Sequence, residues 1–147
     1  TLVAMAAEHT PGGGLGCAHL RVIADAGAKS LSAAAQATIV PGSVVQTDGW
    51  SGYAGLGGAG YGHLPCKLAT GADIDEWLPF SHIVLSNFKR WTLGIFGGVS
   101  QKHLPAYLDE YCYRLNRREQ RADIFRRILN RCARYTEPAT YSLLTGT

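Results

Sequence analysis

Apolar and polar residues follow two different rhythms along this chain. Before Ser81 the apolar residues come in short runs closed by turn formers: TLVAMAAE at 1–8, AHLRVIAD at 18–25 and SVVQTDGW at 43–50. Runs of that length predict strands, and the loop PGGGLG makes the first two a long-looped hairpin. KSLSAAAQATIV, rich in alanine and stopped by Pro41-Gly42, predicts a short helix. The glycine-rich SGYAGLGGAGYGHLP is expected to hold one helical turn and a short strand around Tyr61–Leu64.

From Ser81 the rhythm is helical. Val84, Phe88, Trp91 and Ile95 recur at the spacing of one buried stripe, with Ser81 expected to cap the start and Gly94 or Gly97-Gly98 to end it. A second helix follows, with Ser100 as its expected cap, Leu104, Leu108, Tyr111 and Leu115 as its seam, and Pro105 about one turn in. A third, near Ala122–Arg134, is expected to pack through Phe125, Ile128, Leu129 and Cys132. Strands followed by helices predict an α/β or α+β domain.

One pair on the first of these helices is not explained by packing. His82 and Lys89 lie seven positions apart, nearly two turns, so both project from one face, away from the aromatic stripe.

Composition changes this picture in three places. The 147 residues, 46% hydrophobic, suffice for one domain with one core. The chain opens at Thr1 inside a predicted strand, with neither a signal peptide nor a membrane span at its start, so a fragment of something longer is expected. Cys17, Cys66, Cys112 and Cys132 form no CxxC pair; reduced thiols and a cytoplasmic location are expected rather than a zinc site. The formal charge is −3 over residues 1–80 and +6 over residues 81–147. Such asymmetry points the C-terminal half toward a polyanionic partner, although basic helices are also often simply solvated.

Asp48 leads the candidates for chemistry. A carboxylate at the C-terminal end of a strand, in the polar break TDGW, sits where open α/β sheets place their active sites; the same aspartate can equally cap the turn before Ser51. Carboxylate and imidazole together suit a divalent cation, Asp favouring Mg²⁺ or Mn²⁺ and His better tolerated by Mn²⁺. Lys89 could then grip a phosphate, or be an ordinary surface lysine beside a capping histidine. Arg114, Arg117, Arg118, Arg121, Arg126, Arg127, Arg131 and Arg134 either track a nucleic-acid backbone or form a solvated face with Glu110, Glu119 and Asp123. Tyr107, Tyr111 and Tyr113 are read as packing, Trp50 and Tyr53 as walls beside Asp48, and His63 and His103 as structural. Asp73, Asp75 and Glu76 read as a solvated acidic loop.

Together, TDGWSGY at 47–53, GYGH at 60–63, HIVLSNFKRWTLGIFGGVS at 82–100, KHLPAYLDEYCYRLNRRE at 102–119 and ADIFRRILNR at 122–131 resemble the transposase domain of ISXO-like insertion sequences, a bacterial branch of the DDE transposases. The resemblance runs from Thr1 to about Arg134 and implies an RNase H-like mixed sheet flanked by helices. It implies that Asp48 is the second metal-holding carboxylate, that His82 stands where many members carry Glu, and that Lys89 matches the helical lysine seven residues on. The family's first Asp has no match here. Its strand is implied to lie between the TLVAMAAE and SVVQTD strands, so two half-sheets with unpaired edges are expected.

The resulting expectation is a partial RNase H-like catalytic domain at 1–134, with basic helices at 100–134 and a tail at 135–147. Its function would be Mg²⁺- or Mn²⁺-dependent cleavage and strand transfer of insertion-sequence DNA, the chain alone being inactive. Asp48 and His82 would hold metal, and Lys89, Arg90, Arg114, Arg117, Arg118 and Arg121 would contact double-stranded DNA, in a homo-oligomer. The alternatives are a DNA-binding remnant, a nuclease that does not join strands, and an interaction domain for an acidic protein.

Overall fold

A computed structural model describes residues 1–66 and 74–134. The chain divides into two units, Thr1–Asn116 and Arg117–Thr147. The first has α/β architecture.

Strand β1 (Leu2–His9) pairs antiparallel with β2 (Leu15–Ile23), in a register running from Leu2↔Ile23 to Ala7↔Ala18. The loop between them closes on Thr10, whose N–H and hydroxyl both donate to the Gly14 carbonyl. Alternation puts Val3, Met5, Ala7, Ala18, Leu20 and Val22 on one face, packed against Val84, Leu108, Tyr111 and Cys112. The outer edge of β2 is covered. Asn116 Oδ1 accepts from the Ala18 N–H at 2.7 Å, its Nδ2 donates to the Ala18 carbonyl at 3.0 Å, and Cys112 Sγ accepts from the Leu20 N–H at 3.3 Å. These bonds meet backbone groups that an edge strand otherwise leaves unpaired.

Helix α1 (Ala28–Thr38) buries Leu31 and Ala34, and Tyr61 donates its hydroxyl to the Ile39 carbonyl just past its end. Strand β3 (Val44–Thr47) then pairs in parallel with β4 (Gly62–Pro65), joined by a 3₁₀ turn at Ser51–Leu56. The predicted strand 43–50 thus stops at Thr47, because Gly49 takes a left-handed φ of +82°. Among the described residues the strands form two separate two-stranded sheets, β1–β2 and β3–β4.

A short helix α2 (Ile74–Trp77) occupies part of the stretch read as an acidic loop; Asp73 lies outside the described residues. Helix α3 (Pro79–Phe96) starts two residues ahead of Ser81, with Leu78 at the cap and Pro79 in the first turn, where proline loses no helical hydrogen bond. It passes through Gly94 and ends at Gly97, in the left-handed conformation. Val84, Phe88 and Trp91 face the core as expected, whereas Ile95 is 64% exposed. Helix α4 (Leu104–Leu115) begins after His103 rather than Ser100, which again puts its proline in the first turn. Leu108 and Tyr111 are buried, and Tyr111 donates its hydroxyl to the Val84 carbonyl at 3.0 Å.

In the second unit, α5 (Arg121–Arg134) follows a 3₁₀ turn at Arg118–Gln120. The expectation that Phe125, Ile128, Leu129 and Cys132 pack is not met: Phe125 is 75% exposed, and the other three are exposed as well. Their spacing defines a helix face but not a cover for it.

Candidate active site

The end of β3 is held by Thr47. Its side chain is buried, and its hydroxyl is hydrogen-bonded to His63 Nε2 at 2.9 Å, from the neighbouring strand. Its carbonyl accepts the Cys66 N–H at 2.8 Å and the Trp77 indole N–H at 3.1 Å. Gly49 follows in a conformation that favours glycine, and a Cβ there would lie 2.7 Å from the Cys66 carbonyl oxygen. Between these fixed points stands Asp48, exposed, its Oδ1 accepting the Trp50 N–H at 3.1 Å. That bond is the turn-capping role foreseen for an Asp-Gly turn, and it sets the carboxylate's direction.

Trp50 and Tyr53 differ in what they do. Trp50 is more than half exposed and pinned through its indole N–H to the Ala26 carbonyl at 3.0 Å. Tyr53 is half-buried, and its phenol is pushed above the usual value of 10.0, first by burial and then by the negative charge of Asp48.

One contact from the end of α2 and one from the start of α3 reach the strand ends. Trp77 reaches Thr47, and the Phe80 ring lies 4.6 Å from the His9 ring at the end of β1, tilted at 57°. His82 is the fourth residue of α3, five positions after Trp77, and exposed. Lys89 lies on the same face, exposed and about 10 Å further along the axis at a rise of 1.5 Å per residue. Asp48 and His82 offer one carboxylate and one imidazole. Among the described residues no group of three or more His, Cys, Asp or Glu gathers to hold a metal.

Of the cations expected on DNA, Arg90 donates to Asn87 Oδ1 at 2.6 Å, and Arg114 pairs with Glu110 at 2.6 Å across one helical turn. Both ions of the second pair are largely exposed, so its worth is small. Arg117 and Arg118 are half-buried, and the side chain of Arg121 lies outside the described residues. Tyr107 and Tyr111 serve packing, against Trp91, Phe96 and Phe88. All four cysteines are free.

The sequence assigns no role to Thr47 or Trp77, which help build this end of the fold, and the structural reading of His63 agrees with its bond to Thr47. Only the strand register, with Thr47 opposite Pro65 and His63 opposite Val45, brings Thr47 and His63 within reach of each other.

Residues 1–116 match the family model of the ISXO2-like transposase domain, ending where the first structural unit ends. No curated protein and no solved structure matches the chain. Among the described residues no helix is long and apolar enough to cross a membrane.

Proposed function

We propose that this chain, which belongs to the ISXO2-like transposase domain family, carries part of the machinery for metal-dependent cleavage and joining of insertion-sequence DNA on an RNase H-like core. Asp48 and His82 would hold Mg²⁺ or Mn²⁺. When bound, such an ion activates an attacking oxygen and offsets charge at the phosphate. The chain's own residues do the positioning. Thr47 and Gly49 hold the backbone on either side of Asp48, the Trp50 N–H sets the direction of its carboxylate, and Lys89 offers a cation to a phosphate two turns along α3. Tyr53 closes one side. Arg90, Arg114, Arg117, Arg118 and Arg121 would hold the duplex backbone through salt-sensitive contacts. The expected setting is a cytoplasmic homo-oligomer on double-stranded DNA.

The observation that carries this reading is the Trp77–Thr47 hydrogen bond, which ties the segment leading into His82 to the residue before Asp48. Incubating supercoiled plasmid with the chain and Mn²⁺ or Mg²⁺ is the test. Nicking that requires Asp48 and is followed by joining of a pre-cleaved end supports it; nicking without joining selects a nuclease.

The second reading is a DNA-binding remnant. In it the chain binds DNA through its basic helices and does not cut it. Salt-sensitive binding with no nicking under either metal would select that reading.

A further inference from the structure

Helix α5 (Arg121–Arg134) lies beyond the residues that match the family model, and the function proposed above leaves its apolar side unused. Phe125, Ile128, Leu129 and Cys132 stand at i, i+3, i+4 and i+7, which gathers them on an arc of about 100°. All four are exposed, the three large ones at 75%, 46% and 55% in that order.

Arginines border this arc. At about 100° per residue, Arg126 and Arg131 lie about 110° from its centre, one on each side, and Arg127 and Arg134 lie further round. Arg126 pairs with Asp123 at 3.0 Å. The other three arginines are exposed and make no ion pair among the described residues.

The combination discriminates between occupants. DNA engages cations through its phosphates and would leave the Phe125 side uncovered. A second copy of α5 laid face to face would bring arginine against arginine at both borders, which opposes pairing. A lipid surface rewards total apolar area, and four anchors here span only about two turns. A groove rewards a few large anchors at the spacing i, i+3, i+4 and i+7, and acidic rims would answer the arginines. We propose that α5 is a docking helix whose Phe125 face fills an apolar groove on a partner protein, with carboxylates on the groove's rims meeting Arg126 and Arg131. This inference does not rest on the metal or DNA assignments.

The test uses the whole chain and calmodulin as the probe. Calcium opens a methionine-rich groove in that acidic protein, which then accepts basic amphipathic helices of varied sequence. Titration calorimetry at about 150 mM salt is expected to give a Kd of about 10 μM or tighter, with binding lost when a chelator removes calcium. Phe125→Ala removes an exposed ring and should weaken binding about tenfold or more, at unchanged far-ultraviolet circular dichroism. The double variant Arg126→Glu, Arg131→Glu should weaken it at least as much. Absence of calcium-dependent binding, or binding that survives both variants, would overturn the proposal. So would binding to phosphatidylglycerol vesicles that needs Phe125 while calmodulin is not bound. A Phe125 ring shielded from a soluble paramagnetic agent in the chain by itself would also overturn it, because the face would then already be covered.

Discussion

Trp77 donates its indole N–H to the carbonyl of Thr47 across 30 residues of sequence, at 3.1 Å. The bond fastens the segment leading into α3 to the strand end that carries Asp48. Replacing Trp77 by Phe keeps most of the ring and removes the donor. The expected loss of stability is about 1 kcal/mol, the usual net worth of one such bond, measured by urea denaturation. Amide exchange in the first turn of α3 should accelerate in parallel.

Gly49 is the second fixed point of the same end. Gly49→Ala would force a side chain into a left-handed conformation and place its Cβ 2.7 Å from the Cys66 carbonyl oxygen. The conformational penalty alone is roughly 1–2 kcal/mol, so a loss of at least that size is expected in denaturation. A stability change within about 0.5 kcal/mol would show that the turn is not held as described.

Tyr53 reports on the charge of Asp48. Burial is the larger cause of its raised pKa and the Asp48 carboxylate the smaller. In Asp48→Asn the Tyr53 phenol should therefore titrate lower than in the parent, yet still above 10.0, as read by ultraviolet difference spectra.

The same sign governs alkaline stability. Tyr53, Tyr111 and Cys112 all have pKa values raised in the folded chain by burial, from 10.0, 10.0 and 9.0. The folded state then holds their protons more tightly than the unfolded state. Their contribution is complete below the unfolded values and is lost as pH climbs through the folded ones. Urea midpoints should fall progressively above about pH 9, and the fall should be shallower in Cys112→Ala.

How much of this was legible in the sequence depends on the kind of contact. The hairpin, α1 and β3 show as apolar runs closed by turn residues, and Asp48 shows as the acid after one of them. The stripe Val84, Phe88, Trp91 is equally plain, because burial imposes its period directly. Helix starts were misread where serine looked like a cap. Pro79 and Pro105 are first-turn prolines, and each marks its helix's start more reliably than Ser81 or Ser100 did. The brace on Asp48 was out of reach, since His63 and Trp77 meet Thr47 only through strand register and chain folding. Phe125, Ile128 and Leu129 illustrate the opposite limit: a period of apolar residues shows a face, and says nothing of what lies on it.

The joint role of Asp48 and His82 is tested most directly by adding Mn²⁺ to the chain and following paramagnetic broadening by NMR. The account expects the Asp48 amide and the His82 ring signals to broaden together at substoichiometric metal, with both effects lost in Asp48→Asn. Broadening at Asp48 that leaves the His82 ring sharp, or at His82 that persists in Asp48→Asn, would contradict it.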